Sequence, residues 1–264
     1  MNTKIKSAII LAGGRGTRLS EQTKTIPKPL VPIGDTPIII HIMKHLINNG
    51  IEKIIIAGGY KVELIKNTIL EQLCNFDEDV ILDKKQISGL ENAPLLNNCQ
   101  IIITDTGEDT GTAQRLKMAA DQYLDENEPF LFTYGDTVSN VKLKNVIDDL
   151  FSHENRIMSL TAVQFNERFG ILRLNKDTNE VTVFSEKSMS EDEFINGGFI
   201  ACKHEVLDYI KPTDNDFSKE VMPKIQKDKL LGAYIHKGFW YAMDTQRDYE
   251  HLNKLYKENE DLFK

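Results

Sequence analysis

The amino-acid sequence predicts an α/β fold in which helices cover both faces of a mostly parallel sheet. Two observations support this prediction. Through about residue 156, short apolar runs typical of buried strands alternate with longer segments that have helical spacing. Parallel strands need a crossover connection, and a helix of this length supplies one. The chain has 264 residues, 41% of them hydrophobic, so it is also long enough to bury a large core.

The first half of the chain is predicted to contain four strands, each followed by a helix. The first helix is expected to be capped by Thr36, to have Pro37 in its first turn and to end at Asn49, before Gly50. Residues 75–99 are polar and irregular and predict no element. The strands are expected at 6–12, 53–59, 100–107 and 130–136, and the remaining helices at 62–73, 112–124 and 142–151.

The second half of the chain has a different pattern, in which short strands outnumber helices. The segment NKDTNE (175–180) predicts a hairpin turn. Because no linker, repeat or low-complexity tract interrupts the sequence, we expect a single domain over 1–264, with a front half to about residue 150 and a back half from about 151 that completes a cleft. Strands are expected at 157–165, 170–174, 180–186, 195–202 and 230–235, and helices at about 217–227 and 245–262.

The composition excludes several classes of partner and location. A net charge of −8 provides no basic field for nucleic acid, so the expected ligand is small. Cys74, Cys99 and Cys202 are odd in number and form no C-x-x-C pair, which argues against a disulfide framework or structural zinc and favours a reducing compartment. The apolar run 8–12 is too short for a secretory core or a membrane span. We therefore expect a cytoplasmic protein with no membrane insertion.

The segment LAGGRGTRLSEQTKTIPKP (11–29) predicts a phosphate-binding site. Its glycines follow directly on the first strand, and they allow positive φ angles and a close approach of backbone N–H groups to phosphate oxygens. Arg18 can bind two oxygens, and Lys28 adds a charge whose direction is restricted by a proline on each side. The alternative is an ordinary turn with solvated cations.

Two common phosphate loops are excluded by the spacing. The sequence contains no G-x-x-x-x-G-K-[ST], so this segment is not a P-loop. Gly14 and Gly16 fit the first two positions of the dinucleotide pattern G-x-G-x-x-G, but the third is Leu19, where the backbone must pack closely. Asp35 lies near the distance expected for a ribose-binding acid, so a dinucleotide oxidoreductase stays open as a disfavoured alternative.

Two aspartates at predicted strand ends are candidate ligands for Mg²⁺. Asp136 ends FLFTYGD (130–136), beside Gly135, which leaves room for a substrate, and Asp244 follows the apolar stretch GFWYAMD (238–244). Carboxylates from separate strands that meet a triphosphate suit Mg²⁺, which accepts one or two protein oxygens alongside phosphate and water oxygens. The alternative for Asp244 is that it caps the following helix.

Taken together, these residues resemble the sugar-1-phosphate nucleotidyltransferases, and most closely the glucose-1-phosphate cytidylyltransferases. The resemblance implies a Rossmann-like three-layer sandwich with a mostly parallel mixed sheet, of the nucleotide-diphospho-sugar transferase type. The motifs occur in the expected order and span nearly the whole chain: LAGGRGTRL with PKPL and IG (11–34), DTG with T..RLK (105–117), FLFTYGD (130–136), RFGIL (168–172), EK (186–187), INGGF (195–199) and GFW..MDT.RD (238–248).

The resemblance also implies a reaction. A cytidylyl group from CTP would be transferred to a sugar-1-phosphate, giving a CDP-sugar and pyrophosphate, with Mg²⁺ as the cofactor. The enzyme would be a homo-oligomer, and its product would feed surface polysaccharides. Because the nucleophile is a phosphate oxygen that is largely ionised at neutral pH, no general base is needed. The six histidines (41, 45, 153, 204, 236 and 251) are therefore expected in the core or on the surface.

The family's functional residues can be placed one by one on matching positions of this chain. Glu186 and Asn196 would bond sugar hydroxyls, although Glu186 with Lys187 also fits an exposed ion pair at a strand end. Arg115 would help to select the base, although it also fits an exposed helix residue. The implied catalytic residues are Arg18, Lys28 and Lys187; nucleotide contacts would come from Leu11, Ala12, Gly13, Gly14, Gly16, Thr17, Arg18, Lys28, Thr112, Arg115 and Gly135; sugar-phosphate contacts would come from Gly170, Glu186, Lys187 and Asn196; and Asp136 and Asp244 would bind the metal.

Two departures from the family pattern concern the substrates. Ala113 and Gln114 precede Arg115 where cytidylyl members usually have two glycines, so an added Cβ is expected where the backbone approaches a base. The segment EKSMSEDEFINGG (186–198) lacks the EKP-x-GDG usual in glucose-specific members. A different phosphorylated acceptor therefore stays open, as do thymidylyl, uridylyl or guanylyl transfer and a regulatory homologue that binds nucleotide without turnover.

Overall fold

A mixed sheet of eight strands is the main element of the computed structural model, which describes residues 5–19, 23, 25–74, 99–164, 171–185 and 193–263. The strands are β1 (Ser7–Ala12), β2 (Pro32–Ile33), β3 (Thr36–Pro37), β4 (Lys53–Gly58), β5 (Gln100–Asp105), β6 (Phe130–Tyr134), β7 (Thr137–Ser139), β8 (Met158–Val163), β9 (Ile171–Leu174), β10 (Val181–Ser185), β11 (Ile195–Asn196), β12 (Ile200–Cys202), β13 (Leu231–His236) and β14 (Trp240–Ala242). The helices are α1 (Ile38–Asn48), α2 (Val62–Cys74), α3 (Thr112–Tyr123), α4 (Leu143–Phe151), α5 (Met222–Lys227) and α6 (Gln246–Glu258).

Parallel strands form the centre of the sheet. β1 lies between β4 and β6, and β4 pairs with β5, all in parallel register. The back half of the chain joins through β12, which is antiparallel to both β6 and β8, while β13 is parallel to β8. The predicted mostly parallel mixed sheet is therefore confirmed, and strands from both halves of the chain share it.

Helices cover both faces of this sheet because its central strands are apolar on both sides. All six residues of β1 are buried, and its apolar residues alternate between two hydrophobic clusters, with Ile10 in one and Ile9 in the other. Residues of α1, α2, α4 and α6 contribute to the first cluster, and residues of α3 and α5 contribute to the second. The predicted three-layer arrangement is therefore confirmed.

The structure corrects the predicted start of the first helix. Thr36 does not cap it: Thr36 and Pro37 form β3, which pairs with β2, and the N-cap position is Pro37, without a side-chain cap. The backbone N–H of Ile38 donates instead to the carbonyl of Val31 at 3.0 Å, so the hairpin supplies the partner that a cap would have supplied.

Other differences concern short elements. The predicted strand 195–202 is two strands, β11 and β12, interrupted by a backbone with positive φ at Gly198. β7 and β14 pair with each other outside the main sheet, and only β14 lies in a stretch that the sequence marked as apolar. Among the described helices, none is both long and apolar enough to cross a membrane.

Candidate functional site

A cavity of about 390 Å³ opens beside the carboxyl ends of β1 and β6, where a parallel sheet of this type binds ligands. Pro29, Thr110, Gly111 and Tyr134 also line it, and none of them was a predicted site residue. Of the predicted residues, the lining includes Leu11, Ala12, Gly13, Gly14, Gly16, Arg18, Lys28, Thr112, Arg115, Gly135, Asp136 and Asp244.

The glycine loop after β1 forms one wall of the cavity, and two of its glycines, Gly13 and Gly16, are required by close packing or by the backbone angle. A Cβ at Gly13 would lie 1.9 Å from the guanidinium carbon of Arg115, whereas a Cβ at Gly14 would meet nothing within 4 Å. Gly16 has a φ of +62° and packs against the side chain of Lys28. Thr23 fixes this turn by donating its hydroxyl to the carbonyl of Gly16 at 2.9 Å.

Lys28 lies between the two predicted metal ligands. Its Nζ is 2.6 Å from Asp136 Oδ2 and 2.6 Å from Asp244 Oδ1, and its side chain is only 12% exposed. Burial alone would lower the pKa of Lys28, but its charge and hydrogen-bond interactions with Asp136 and Asp244 outweigh burial, so the pKa is raised above its usual value. Arg18 contacts Asp244 from the solvent side, with an Nη2–Oδ1 distance of 3.4 Å.

Asp136 and Asp244 reach Lys28 from the ends of two different strands, β6 and β14. Asp136 follows β6, and its backbone carbonyl accepts a hydrogen bond from the N–H of Met243 at 2.9 Å, which ties the two segments together. Gly135 lies against β1: its N–H donates to Leu11, and a Cβ there would be 3.1 Å from the same carbonyl oxygen. The fold therefore brings together Asp136 and Asp244, which are more than a hundred positions apart in the sequence.

The alternative role of Asp244 as a helix cap is wrong. The N-cap of α6 is Thr245, which forms a capping box with Asp248. Asp248 is only 2% exposed, and its Oδ2 accepts from the N–H of Thr245 at 2.9 Å and from the N–H of Asp244 at 3.3 Å. Asp248 thus orients the turn that presents Asp244 to the cavity, and sequence reasoning missed this role.

Arg115 is buried beneath the loops, so the alternative of an exposed helix residue is also wrong. It is 3% exposed, and burial lowers its pKa, with partial compensation from Asp105. Its Nη1 donates to the carbonyl of Gly58 and to the hydroxyl of Thr106.

The other terminal nitrogen of Arg115 fixes the turn that follows β5. Its Nη2 donates to the carbonyls of Gly107 at 3.0 Å and Thr110 at 2.7 Å. The guanidinium therefore supports the wall of the cavity, and the predicted contact with a base stays a prediction.

The first departure from the family pattern faces away from the cavity, contrary to expectation. Ala113 is completely buried in the apolar cluster beneath α3, and its N–H donates to the carbonyl of Asn215 at 3.0 Å. The side-chain amide of Gln114 donates to the carbonyls of Lys211 and Asp214 at 2.7 and 2.8 Å. The backbone of Ala113 and the side chain of Gln114 therefore connect the start of α3 to the segment 211–215, and neither residue lines the cavity.

The predicted sugar-phosphate residues are only partly described. Gly170, Glu186 and Lys187 lie outside the described residues. Asn196 lies outside the cavity lining but is hydrogen-bonded to Tyr134, which lines it. The phenol of Tyr134 is 3.0 Å from the hydroxyl of Ser218, and burial raises its pKa, so it stays a neutral hydrogen-bonding group.

The structure describes all six histidines, which were predicted in the core or on the surface. None of the six histidines is among the described residues that line the cavity. His41 and His45 are buried on α1, and burial lowers the pKa of both, that of His45 to about 4. The remaining four are exposed or half-buried.

Comparisons with known proteins fit this geometry. The family model described as nucleotidyl transferase matches residues 7–259. Glucose-1-phosphate cytidylyltransferase from Salmonella typhimurium is 36% identical, over 95% of each chain, and mannose-1-phosphate guanylyltransferase 1 from Arabidopsis thaliana is 32% identical over 94% of this chain and 64% of its own. The crystal structure of HddC from Yersinia pseudotuberculosis superposes with a TM-score of 0.66 at 24% identity, covering 95% of this chain and 99% of that one.

Proposed function

The chain belongs to the nucleotidyl transferase family, and from this premise we propose that it transfers a cytidylyl group from CTP to a sugar-1-phosphate, with glucose 1-phosphate as the first choice. The products are a CDP-sugar and pyrophosphate. The observation that supports this proposal best is the meeting of Asp136 and Asp244 at Lys28, in one cavity with a glycine loop.

The glycine loop and the cations bind the triphosphate. The backbone N–H groups of Gly13 to Thr17 hold the β- and γ-phosphates, and Arg18 adds a guanidinium at the solvent side. Lys28 is positioned to contact the α-phosphate, where it offsets the repulsion between two anions. Because both partners of the reaction are phosphates, positioning and electrostatics supply the catalysis, and no residue has to remove a proton from the nucleophile.

Asp136 and Asp244 fit a divalent cation. Both carboxylates have an oxygen within hydrogen-bonding distance of the same nitrogen, so one cation can contact both. Two carboxylate ligands with phosphate and water oxygens completing the shell are the donor set that Mg²⁺ prefers. When bound, Mg²⁺ neutralises phosphate charge and keeps the attack in line. Asp136 and Asp244 would hold the cation, and Lys28 would contact the phosphate beside it.

The acceptor is assigned to the side of the cavity that is lined by Tyr134, to which Asn196 is hydrogen-bonded. The neutral phenol and the amide are suitable for sugar hydroxyls, and by family resemblance Glu186 and Lys187 would bind the sugar and its phosphate. Transfer to another phosphorylated acceptor is kept as an alternative, because the segment after Lys187 departs from the glucose-specific pattern.

Guanylyl transfer is the second candidate, favoured by the guanylyltransferase relative; thymidylyl or uridylyl transfer would use the same groups. A regulatory homologue without turnover is disfavoured, since Lys28 and both aspartates are present and adjacent. We further propose a cytoplasmic homo-oligomer. Cys99 and Cys202 are buried free thiols whose pKa is raised by burial, which suits a reducing compartment.

A pyrophosphate-release matrix tests the proposal. The four ribonucleoside triphosphates and dTTP are each combined with a panel of phosphorylated sugars and polyols, with Mg²⁺ present. We expect release with CTP and a sugar-1-phosphate, and none in Asp136→Asn. Release with GTP and mannose 1-phosphate would favour the second candidate, and binding of nucleotide without release under any combination would favour the regulatory homologue.

A further inference from the structure

We propose that Arg15 is a positioning residue for the nucleotide. Its ion pairs hold the turn 106–111 against the glycine loop and thereby fix the rim of the cavity. The inference deepens the proposed function and rests on it, because it takes a nucleoside triphosphate as the ligand of this cavity.

Arg15 connects two walls of the cavity. Its Nη2 lies 2.9 Å from Glu108 Oε1 and 3.2 Å from Asp109 Oδ1, and its guanidinium carbon is 5.7 Å from the centre of the Tyr60 ring. One guanidinium therefore contacts two carboxylates and an aromatic face, which is a network rather than an isolated surface pair.

The glycine loop and the turn 106–111, which Arg15 joins, both contribute residues that line the cavity. Gly14 and Gly16, its neighbours in the loop, are lining residues, and so are Thr110 and Gly111 in the turn. A change in the distance between Arg15 and the acidic tip of the turn would therefore change the shape of the cavity directly.

The turn is anchored at its base by Arg115 and at its tip by Arg15. Arg115 binds the carbonyls of Gly107 and Thr110 from the buried side. The tip is exposed, with side-chain exposures of 48% for Glu108 and 91% for Asp109. Because the tip is exposed, its ion pairs with Arg15, rather than burial, hold it against the glycine loop.

Four variants distinguish two roles that Arg15 could have, namely holding the turn in place and attracting the anionic ligand. Arg15→Ala and the double variant Glu108→Gln/Asp109→Asn both break the ion pairs, and a triple variant combines them. Lys117→Ala is the matched control, because Lys117 forms an exposed pair with Asp121 at 3.2 Å on α3. The measurements are the steady-state KM and kcat for CTP and the dissociation constant of CTP by calorimetry.

We expect Arg15→Ala and the double variant to raise KM and the dissociation constant alike, by about two- to five-fold, as for a small exposed network. The triple variant should add nothing further, and kcat and the melting temperature should stay close to wild type. If Arg15→Ala weakened CTP binding while the double variant strengthened it, Arg15 would act only by attracting the anion. If Arg15→Ala had the same KM and dissociation constant as Lys117→Ala, Arg15 would have no role. Either result overturns the proposal.

Hydrogen exchange of residues 107–111 in the free protein gives a readout that needs no ligand. Faster exchange is expected in Arg15→Ala and in the double variant, and unchanged exchange in both would contradict the proposal. If wild-type protein binds no triphosphate at all, the proposed function fails; if it binds and turns over while Arg15→Ala behaves identically, only this inference fails.

Discussion

Replacing Lys28 by methionine removes one charge from the centre of the cavity while keeping the length of the side chain. The ammonium makes two charge-assisted hydrogen bonds of 2.6 Å in a mostly buried position. The loss of one preorganised charged contact in such a site costs about 2–4 kcal/mol of transition-state stabilisation. At about 1.4 kcal/mol per factor of ten, we expect kcat to fall by roughly 30- to 1,000-fold.

The assay is pyrophosphate release at saturating CTP, sugar-1-phosphate and Mg²⁺. Lys53→Met is a matched control, because Lys53 is also mostly buried and paired, with Glu128 at 3.1 Å, but does not line the cavity. It should lower stability and leave kcat nearly unchanged. A kcat within about threefold of wild type for Lys28→Met would refute the assignment of Lys28 to the phosphates, since that is far below the expected loss.

The same variant tests the relation between Lys28 and the metal site. Without the ammonium, Asp136 and Asp244 repel each other, so Lys28→Met should be less stable than wild type in the presence of a chelator. Mg²⁺ should then raise its melting temperature by more than that of wild type, in which the cation competes with Lys28. An equal Mg²⁺ effect in both proteins would mean that the metal does not bind between these carboxylates.

Four further substitutions have defined outcomes. Asp136→Asn and Asp244→Asn should abolish turnover with unchanged circular dichroism, and normal activity in both would remove the metal assignment. Asp248→Ala should lower stability by about 1 kcal/mol through the lost cap and raise the Mg²⁺ concentration needed for half-maximal rate, and an unchanged Mg²⁺ requirement would confine it to capping. Burial depresses the pKa of His45 to about 4 in the folded state, against 6.5 in the unfolded chain. Because the unfolded chain binds more protons between these two pH values, the stability that neutral His45 contributes is complete above pH 6.5 and falls by about 3 kcal/mol as the pH decreases toward 4. Urea unfolding of His45→Gln should show a smaller loss of stability over this pH range.

The elements that the sequence predicted are those fixed by local pattern. β1 and β4 read as apolar runs, and α6 as an amphipathic helix, because burial on one or both faces determines which residues those positions accept. The glycines permit a positive φ and the prolines restrict the backbone around Lys28, and both effects act within a few residues, so the position of this loop at a cavity could be predicted as well.

What escaped prediction depends on residues that are far apart in the sequence. Thr36 has the chemistry of a helix cap, but pairing of β3 with β2 satisfies the backbone instead. The charge of Arg115 also fitted an exposed helix residue, yet its guanidinium is buried under carbonyls from two loops. Arg15 meets Glu108 across more than ninety positions, and no periodicity indicates such a pair.

A crystal structure with CTP and Mg²⁺ is the most direct measurement of how this cavity works. The β- and γ-phosphates should lie on the backbone N–H groups of Gly13 to Thr17, the cation between Asp136, Asp244 and the α-phosphate, and Lys28 should have left at least one carboxylate. Phosphates bound elsewhere, or a cation that contacts neither aspartate, would contradict the assignment.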